Sequence, residues 1–114
     1  LLAVATGKSR RGLDRALEST QLVRYFHASR CADEGLPKPH PDMLEVLIGE
    51  LDVAPGRTLM VGDTTHDLQM ALNAGVPAVA VSYGAHPLEE LESLKPLACV
   101  GSFALLMEWL KKNG

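Results

Sequence analysis

The sequence predicts an α/β protein with a Rossmann-like parallel sheet that carries helices on both faces. Short apolar runs alternate along the chain with longer segments of helical periodicity, and within the runs apolar and polar residues do not alternate. Strands of that kind are buried on both sides, which is typical of a parallel sheet covered by helices. The 114 residues, 46% of them hydrophobic, suffice for one domain with a core.

The first elements are a strand, a helix and a weaker strand. Residues 2–6 form an apolar run that leads into a Gly-Lys-Ser turn, so we expect a buried strand there. Residues 9–19 then place apolar side chains at helical spacing, and Ser9 is a suitable N-cap. Residues 25–31 are partly polar and predict a second strand with a weaker pattern.

The middle of the chain contains the clearest helix pattern. A loop at residues 35–41 carries three prolines, and in residues 41–51 apolar side chains recur at i, i+3, i+4 and i+7. An apolar run at residues 58–61 predicts a third strand. The next helix is expected at residues 66–74 and ends before Gly75, which suits a left-handed C-terminal cap.

The last third continues the order of strand and helix. Residues 78–82 form another apolar run of the buried type, and a short acidic helix is expected at residues 88–94. Residues 98–100 predict a final strand, and Ser102 is the expected N-cap of the final helix. That helix ends in lysines, which favour the negative end of the helix dipole.

Composition excludes several classes of function. Eleven Lys and Arg residues against fourteen Asp and Glu residues give a net charge of −3, so the chain offers no basic field to a nucleic acid. No apolar run approaches the roughly 20 residues of a membrane helix. The two cysteines, Cys31 and Cys99, form no CxxC pair, which favours a reducing, cytoplasmic setting. We therefore expect neither a nucleic acid nor a membrane as a partner.

The segment GDTTHD at residues 62–67 is the strongest candidate for a functional site. It lies between a predicted strand and a helix, and ligands of parallel sheets bind beyond the carboxyl ends of the strands. Gly62 allows a tight turn, and Asp63 offers oxygen ligands to a hard cation such as Mg²⁺. Asp67 would lie beside Asp63 and orient it or a metal-bound water. The structural alternative is that both carboxylates only cap the helix.

Two further segments carry groups that suit a phosphoryl ligand. Thr6 and Gly7 present a hydroxyl and a backbone amide near the start of a helix, where anions are bound favourably. Lys38 lies between prolines that stiffen its segment, and its point charge suits a phosphate or a pair of carboxylates. The ordinary alternatives are a strand that leads into a helix cap, and a solvent-exposed lysine.

Other catalytic motifs are incomplete. The Gly-Lys-Ser sequence after Thr6 is the end of a P-loop, but that motif needs a glycine where Leu2 stands. The serines lack the GxSxG context of a nucleophile elbow. The four histidines show no zinc-ligand spacing; they are His27, His40, His66 and His86. We therefore expect no P-loop, no elbow-type serine hydrolase and no zinc site.

Taken in order, the candidate motifs resemble those of the haloacid dehalogenase (HAD) superfamily. The resemblance implies that Thr6 and Gly7 bind a phosphoryl group and that Lys38, in KPHPD, pairs with that group and with the nucleophilic carboxylate. It also implies that Asp63 is a Mg²⁺ ligand and Asp67 its supporting carboxylate. KPHPD and GDTTHD are most similar to the phosphoglycolate phosphatase-like branch. The implied activity is Mg²⁺-dependent hydrolysis of a small phosphorylated metabolite through an aspartyl-phosphate.

The chain departs from the family at one decisive point. The family's first motif, DxDGT, supplies the nucleophilic aspartate and the general acid, and no two aspartates here have that spacing. The helical cap inserted after that motif is missing too. We therefore expect residues 1–114 to be the C-terminal part of a HAD-like core that lacks the nucleophile strand and the cap. That strand would lie between the strands at residues 2–6 and 58–61, whose open edges predict self-association.

Two other functions stay open from the sequence. A receiver-type signalling domain also uses a strand-end aspartate, Mg²⁺, a threonine and a lysine. In such domains the phospho-accepting aspartate comes first, whereas here Thr6 and Lys38 precede Asp63. A non-catalytic HAD-like fragment is the other alternative, because these residues contain no nucleophile motif. Phosphoglycolate is implied by the branch alone, and sugar phosphates and nucleotides remain candidate substrates.

Overall fold

The computed structural model describes residues 1–82 and 88–113, and within them it has the predicted alternation of strands and helices. The strands are β1 (Ala3–Ala5), β2 (Ala28–Arg30), β3 (Met60–Gly62), β4 (Ala78–Val81) and β5 (Ala98–Val100). The helices are α1 (Arg10–Thr20), α2 (Asp42–Leu51), α3 (Thr65–Ala74), α4 (Leu88–Glu92) and α5 (Phe103–Asn113). Short 3₁₀ turns lie at Val23–Tyr25, Ala32–Glu34 and Pro55–Arg57.

Local capping explains several of these boundaries. The Ser9 hydroxyl accepts a hydrogen bond from the Gly12 amide at 3.1 Å and so begins α1. The Ser102 hydroxyl does the same for α5 by accepting from the Leu105 amide at 3.2 Å. Gly75 ends α3 with a φ of 71°, the left-handed conformation that glycine adopts at low cost. The caps predicted at these three positions are confirmed.

The strands are parallel, but in the described part of the chain they form two sheets. β1 pairs with β2, and β3, β4 and β5 form a second sheet in that order. One edge of β1 and one edge of β3 have no strand partner among the described residues. Val61, in β3, keeps 39% of its surface exposed although it lies in the middle of a strand.

Helices α2, α3 and α4 cover one face of both sheets. Their buried side chains form a single core cluster with β3 and β4, and Ala5 of β1 packs against it. Because no strand pairing joins the two sheets in residues 1–82 and 88–113, this shared face holds them together. The buried members of the cluster are Met43, Leu44, Met60, Leu68, Met70, Ala71, Val76, Ala78, Ala80 and Leu91.

The opposite faces are covered separately. Leu13 and Leu17 of α1 pack with Cys31 over the first sheet. Leu106 of α5 packs over the second sheet, with Trp109 at the margin of the same cluster. The prediction of helices on both faces is confirmed. No helix in the described ranges combines the length and hydropathy of a membrane span.

Candidate functional site

The loop from β3 to α3 is organised by Asp67. The Thr64 hydroxyl caps α3 by accepting a hydrogen bond from the Asp67 amide at 3.2 Å. In return, Asp67 Oδ2 accepts hydrogen bonds from the Thr64 amide at 3.2 Å and from the Thr64 hydroxyl at 3.0 Å. The same oxygen accepts the Asp63 amide at 3.2 Å. One carboxylate oxygen therefore fixes the backbone on which the Asp63 side chain stands.

Close packing explains the glycine that opens this loop. A Cβ on Gly62 would lie 2.3 Å from the Asp67 Cβ, so no other residue fits without displacing that side chain. The sequence predicts Gly62 from the turn after β3, and the structure adds this close packing as a second reason for glycine. Among the described glycines the positive φ belongs to Gly75, while Gly62 leaves room for the carboxylate.

Lys38 and Asp67 form an ion pair in which Asp67 is buried and Lys38 is partly buried. Lys38 Nζ donates to Asp67 Oδ1, and the two side chains are only 18% and 6% exposed. Burial acts to raise the pKa of the Asp67 carboxyl, but the Lys38 ammonium and the Thr64 hydrogen bonds outweigh burial and hold that pKa below its ordinary value. Asp67 is the one charged residue that is buried in the described ranges. Both oxygens of the Asp67 carboxylate therefore accept hydrogen bonds from other residues of the protein.

The segment that carries Lys38 is fixed to α3 by a contact that sequence reasoning missed. The Asn73 side-chain amide donates to the Pro39 carbonyl at 3.0 Å, next to a cis peptide between Lys38 and Pro39. Within the segment the His40 amide donates to the Pro37 carbonyl at 3.0 Å. Asn73 is exposed on a helix, so its sequence context gave no signal for this contact.

Asp63 differs from Asp67 in having an available carboxylate. Its side chain is half-buried and accepts no hydrogen bond from any residue that the structure describes. Within residues 1–82 and 88–113, no three His, Cys, Asp or Glu side chains are grouped as a metal site. Mg²⁺ is often held by one or two carboxylates with water and phosphate oxygens as its other ligands. Among the described residues at this loop, the Asp63 carboxylate is the group that could serve such a cation.

Thr6 and Gly7 lie in the loop between β1 and α1. The Thr6 amide donates to the Arg30 carbonyl at 3.1 Å, and its hydroxyl accepts the Lys8 amide at 3.1 Å. Gly7 is exposed, and a Cβ there would meet nothing within 4 Å. No hydrogen bond among the described residues links this loop to the Lys38–Asp67 pair. The structure thus joins Lys38 directly to Asp67 beside the Asp63 loop, whereas Thr6 lies in a separate loop.

The histidines have local roles where their contacts are described. His27 Nδ1 accepts the Leu2 amide at 3.0 Å, and His40 Nδ1 accepts the Asp42 amide at 3.1 Å. His86 lies outside the described residues. The histidines of the described ranges belong to no metal-binding group.

Comparison with known proteins places the chain in a family. The family model described as haloacid dehalogenase-like hydrolase matches residues 1–81. The chain is 40% identical over 104 residues to the probable phosphatase IndB of Dickeya dadantii, covering 90% of this chain and 45% of the relative. It is 32% identical over 96 residues to a phosphoglycolate phosphatase of Escherichia coli, covering 83% of this chain and 38% of the relative.

Solved structures agree with this match. The crystal structure of a predicted phosphatase from Clostridium acetobutylicum superposes with a TM-score of 0.88 at 27% identity, over 97% of this chain and 52% of the other. The chain thus spans about half or less of the length of each of these three proteins. The parallel α/β fold and the match over residues 1–81 establish that the chain belongs to the haloacid dehalogenase-like hydrolases.

Proposed function

We propose that these residues form the C-terminal part of the core domain of a longer, cytoplasmic phosphomonoester hydrolase that depends on Mg²⁺. The observation that carries the proposal is the partly buried Lys38–Asp67 pair beside the Asp63 loop. An ammonium group has three N–H donors, and Asp67 is the one partner of Lys38 in the described structure. The remaining donors suit a phosphoryl oxygen, because a positioned cation stabilises the negative charge of the transferring group.

Asp63 is the proposed ligand for the metal. Its carboxylate is available, and its backbone is fixed by Asp67, so the oxygen donors are presented from a rigid loop. When bound, Mg²⁺ supplies charge neutralisation at the phosphoryl oxygens. Asp67 is proposed to orient Asp63 and Lys38 at once, because its two oxygens hold the two segments separately.

Thr6 and Gly7 are proposed to contact the phosphoryl group from the other loop. The Thr6 oxygen already accepts the Lys8 amide, so its own O–H is the group left to donate. In the proposed reaction an aspartate from outside these residues forms a bond to phosphorus as the ester P–O bond breaks, and the leaving oxygen takes a proton from a general acid, also outside these residues, to leave as the alcohol. Water then cleaves the aspartyl-phosphate and releases inorganic phosphate.

The open edges of β1 and β3 support the proposal that another strand of the complete protein lies between them. The chain spans less than half of two relatives that are named phosphatases, so most of each relative has no counterpart here. The proposed substrate is a small phosphorylated metabolite, with phosphoglycolate as the first candidate since one relative is named for it. The proposed cytoplasmic setting fits the free thiols of Cys31 and Cys99.

The test is a phosphatase screen of the complete gene product against phosphoglycolate and other small phosphorylated metabolites, with and without Mg²⁺. We expect Asp63→Asn to raise the Mg²⁺ concentration needed for activity and to lower kcat by several orders of magnitude. The matched control is Asp52→Asn, since Asp52 is exposed in a left-handed cap that asparagine also adopts. Near-normal turnover by Asp63→Asn would overturn the metal assignment. Failure of the wild type on every metabolite would favour a non-catalytic scaffold.

A further inference from the structure

Three charged residues fasten the start of α1 to the turn that follows β2. The Arg10 guanidinium donates to both Glu34 oxygens, at 2.7 and 3.3 Å, and to the Ser29 hydroxyl at 2.7 Å. The Arg10 backbone amide donates to Asp33 Oδ1 at 3.0 Å. Glu34 also accepts the Cys31 amide at 2.8 Å. We call Arg10, Asp33 and Glu34 the Arg10 clamp.

The Arg10 clamp closes on the loop that carries Thr6. That loop runs for four residues from the end of β1 to the cap of α1, and the last residue of β2 and the turn after it hold the loop from one side. The Thr6 amide donates to the Arg30 carbonyl at 3.1 Å, and the Lys8 carbonyl accepts the Ala32 amide at 3.0 Å. The loop backbone is therefore tied at Thr6 to the end of β2 and at Lys8 to the turn after it, and the clamp fastens that turn to the start of α1.

The energetics of the clamp are those of a strong, planar ion pair. Two parallel N–H donors facing one carboxylate fix direction as well as distance. The Arg10 hydrogen bond, followed by that of the Cys31 amide, lowers the pKa of Glu34 to about 2, so the pair stays ionised at neutral pH. By contrast, the Asp14 contact of Arg10 is longer, at 3.4 Å, and lies within the same helix.

We propose that the Arg10 clamp positions the Thr6 hydroxyl for a phosphoryl group without touching that group itself. The inference rests on the proposed function, in which Thr6 is a phosphoryl contact. Because the Thr6 oxygen accepts the Lys8 amide, the direction of its O–H depends on where Lys8 stands. The clamp fixes Lys8 through the turn after β2. The three residues of the Arg10 clamp are thus positioning residues, which act on the phosphoryl group only through Thr6.

The experiment measures competitive inhibition by inorganic phosphate in the complete gene product, with p-nitrophenyl phosphate as substrate. We expect Glu34→Gln to raise the Ki of phosphate and the KM roughly three- to tenfold, the loss expected when a charge-assisted hydrogen bond no longer holds a contact in place. Glu18→Gln is the matched control, because Glu18 is exposed on α1 and outside the clamp. A purely structural loss would lower the active fraction, and so kcat, and leave the Ki unchanged.

A double variant tests whether Glu34 affects phosphate binding through Thr6 or by another route. If Glu34 acts through Thr6, then Thr6→Ala/Glu34→Gln has the same Ki as Thr6→Ala, whereas additive increases would overturn the inference. Should Glu34→Gln fail to fold, Asp33→Ala replaces it, since Asp33 is exposed and its loss frees only the Arg10 amide. A raised Ki for Thr6→Ala with unchanged values for the clamp variants overturns the clamp alone. An unchanged Ki for Thr6→Ala instead overturns the proposed role of Thr6.

Discussion

Asp67→Asn removes one negative charge from the most buried polar site in the described structure. Asp67 as a residue is 5% exposed, and its carboxylate accepts the Lys38 ammonium on one oxygen and three donors of the Asp63–Thr64 segment on the other. Asparagine has nearly the same shape but only one accepting oxygen. It must either turn its NH₂ group toward Lys38 or turn it toward the loop donors.

The size of the stability loss follows from the hydrogen-bonding groups that Asp67→Asn leaves without a partner. In the first arrangement the ammonium of Lys38, with a side chain 18% exposed, loses its counter-charge and faces another donor. Breaking a buried pair by removal of one partner costs about 3–5 kcal/mol, and the residual exposure of Lys38 places this case near the lower end. The second arrangement loses hydrogen bonds to two amides and a hydroxyl, each worth about 1 kcal/mol or more. We therefore expect the free energy of unfolding to fall by about 3 kcal/mol.

Urea denaturation of the complete gene product at pH 7, with a chelator present, measures this loss. The matched control is Asp63→Asn, the same chemical change four residues away on a carboxylate without a described hydrogen bond, and we expect it to change stability by less than about 0.5 kcal/mol. The chelator keeps metal binding out of the comparison. Equal losses in both variants, or a loss below about 1 kcal/mol for Asp67→Asn, would refute the reasoning.

Comparison of the wild type with Asp67→Asn also predicts how the stability difference between them changes with pH. Asp67 has a pKa in the folded state below its ordinary value of about 3.9, so its ionised form contributes stability that is complete above that value. The contribution is lost as the pH falls through the lower, folded-state pKa. The stability difference between wild type and Asp67→Asn should therefore be constant near neutrality and shrink below about pH 4. A difference that grows on acidification would contradict the ion pair.

Three further predictions address packing, charge and association. Gly62→Ala should lower the free energy of unfolding by about 1–3 kcal/mol because its Cβ would meet Asp67, whereas Gly49→Ala, in a helix with nothing within 4 Å, should raise it by about 0.5–1 kcal/mol; thermal unfolding compares the two. NMR titration of Glu34 should give a pKa of about 2 that rises toward about 4.3 in Arg10→Gln, and an unmoved pKa would refute the pairing. The 114-residue polypeptide by itself should associate in sedimentation experiments through its open strand edges, so a monomer with a cooperative unfolding transition would count against that expectation.

Local pattern predicted the order of elements, because apolar periodicity and caps act within a few residues of where they are read. The Lys38–Asp67 pair is different, since it joins positions 29 residues apart and depends on how two loops approach one another. Motif order placed both residues in one site, but the partner of each oxygen and the contact of Asn73 with Pro39 follow from tertiary packing. Apolar runs could not predict the division into two sheets, because a strand has the same run whether or not its edge is paired; the family resemblance did predict it, through the strand that it implies between residues 2–6 and 58–61.

The two aspartates of the GDTTHD segment illustrate how environment separates the roles of identical side chains. Asp67 has a full set of donors around it, so binding a cation there would require the loss of Lys38 or of the loop amides. Asp63 has its backbone fixed by Asp67 and its carboxylate available. The proposed metal would therefore bind best at Asp63, while Asp67 holds Lys38 and the Asp63 loop in a fixed position relative to each other. On this reasoning the four-residue spacing serves alignment rather than shared coordination, and the activity of Asp67→Asn should not be restored by raising the Mg²⁺ concentration, whereas that of Asp63→Asn should respond to it.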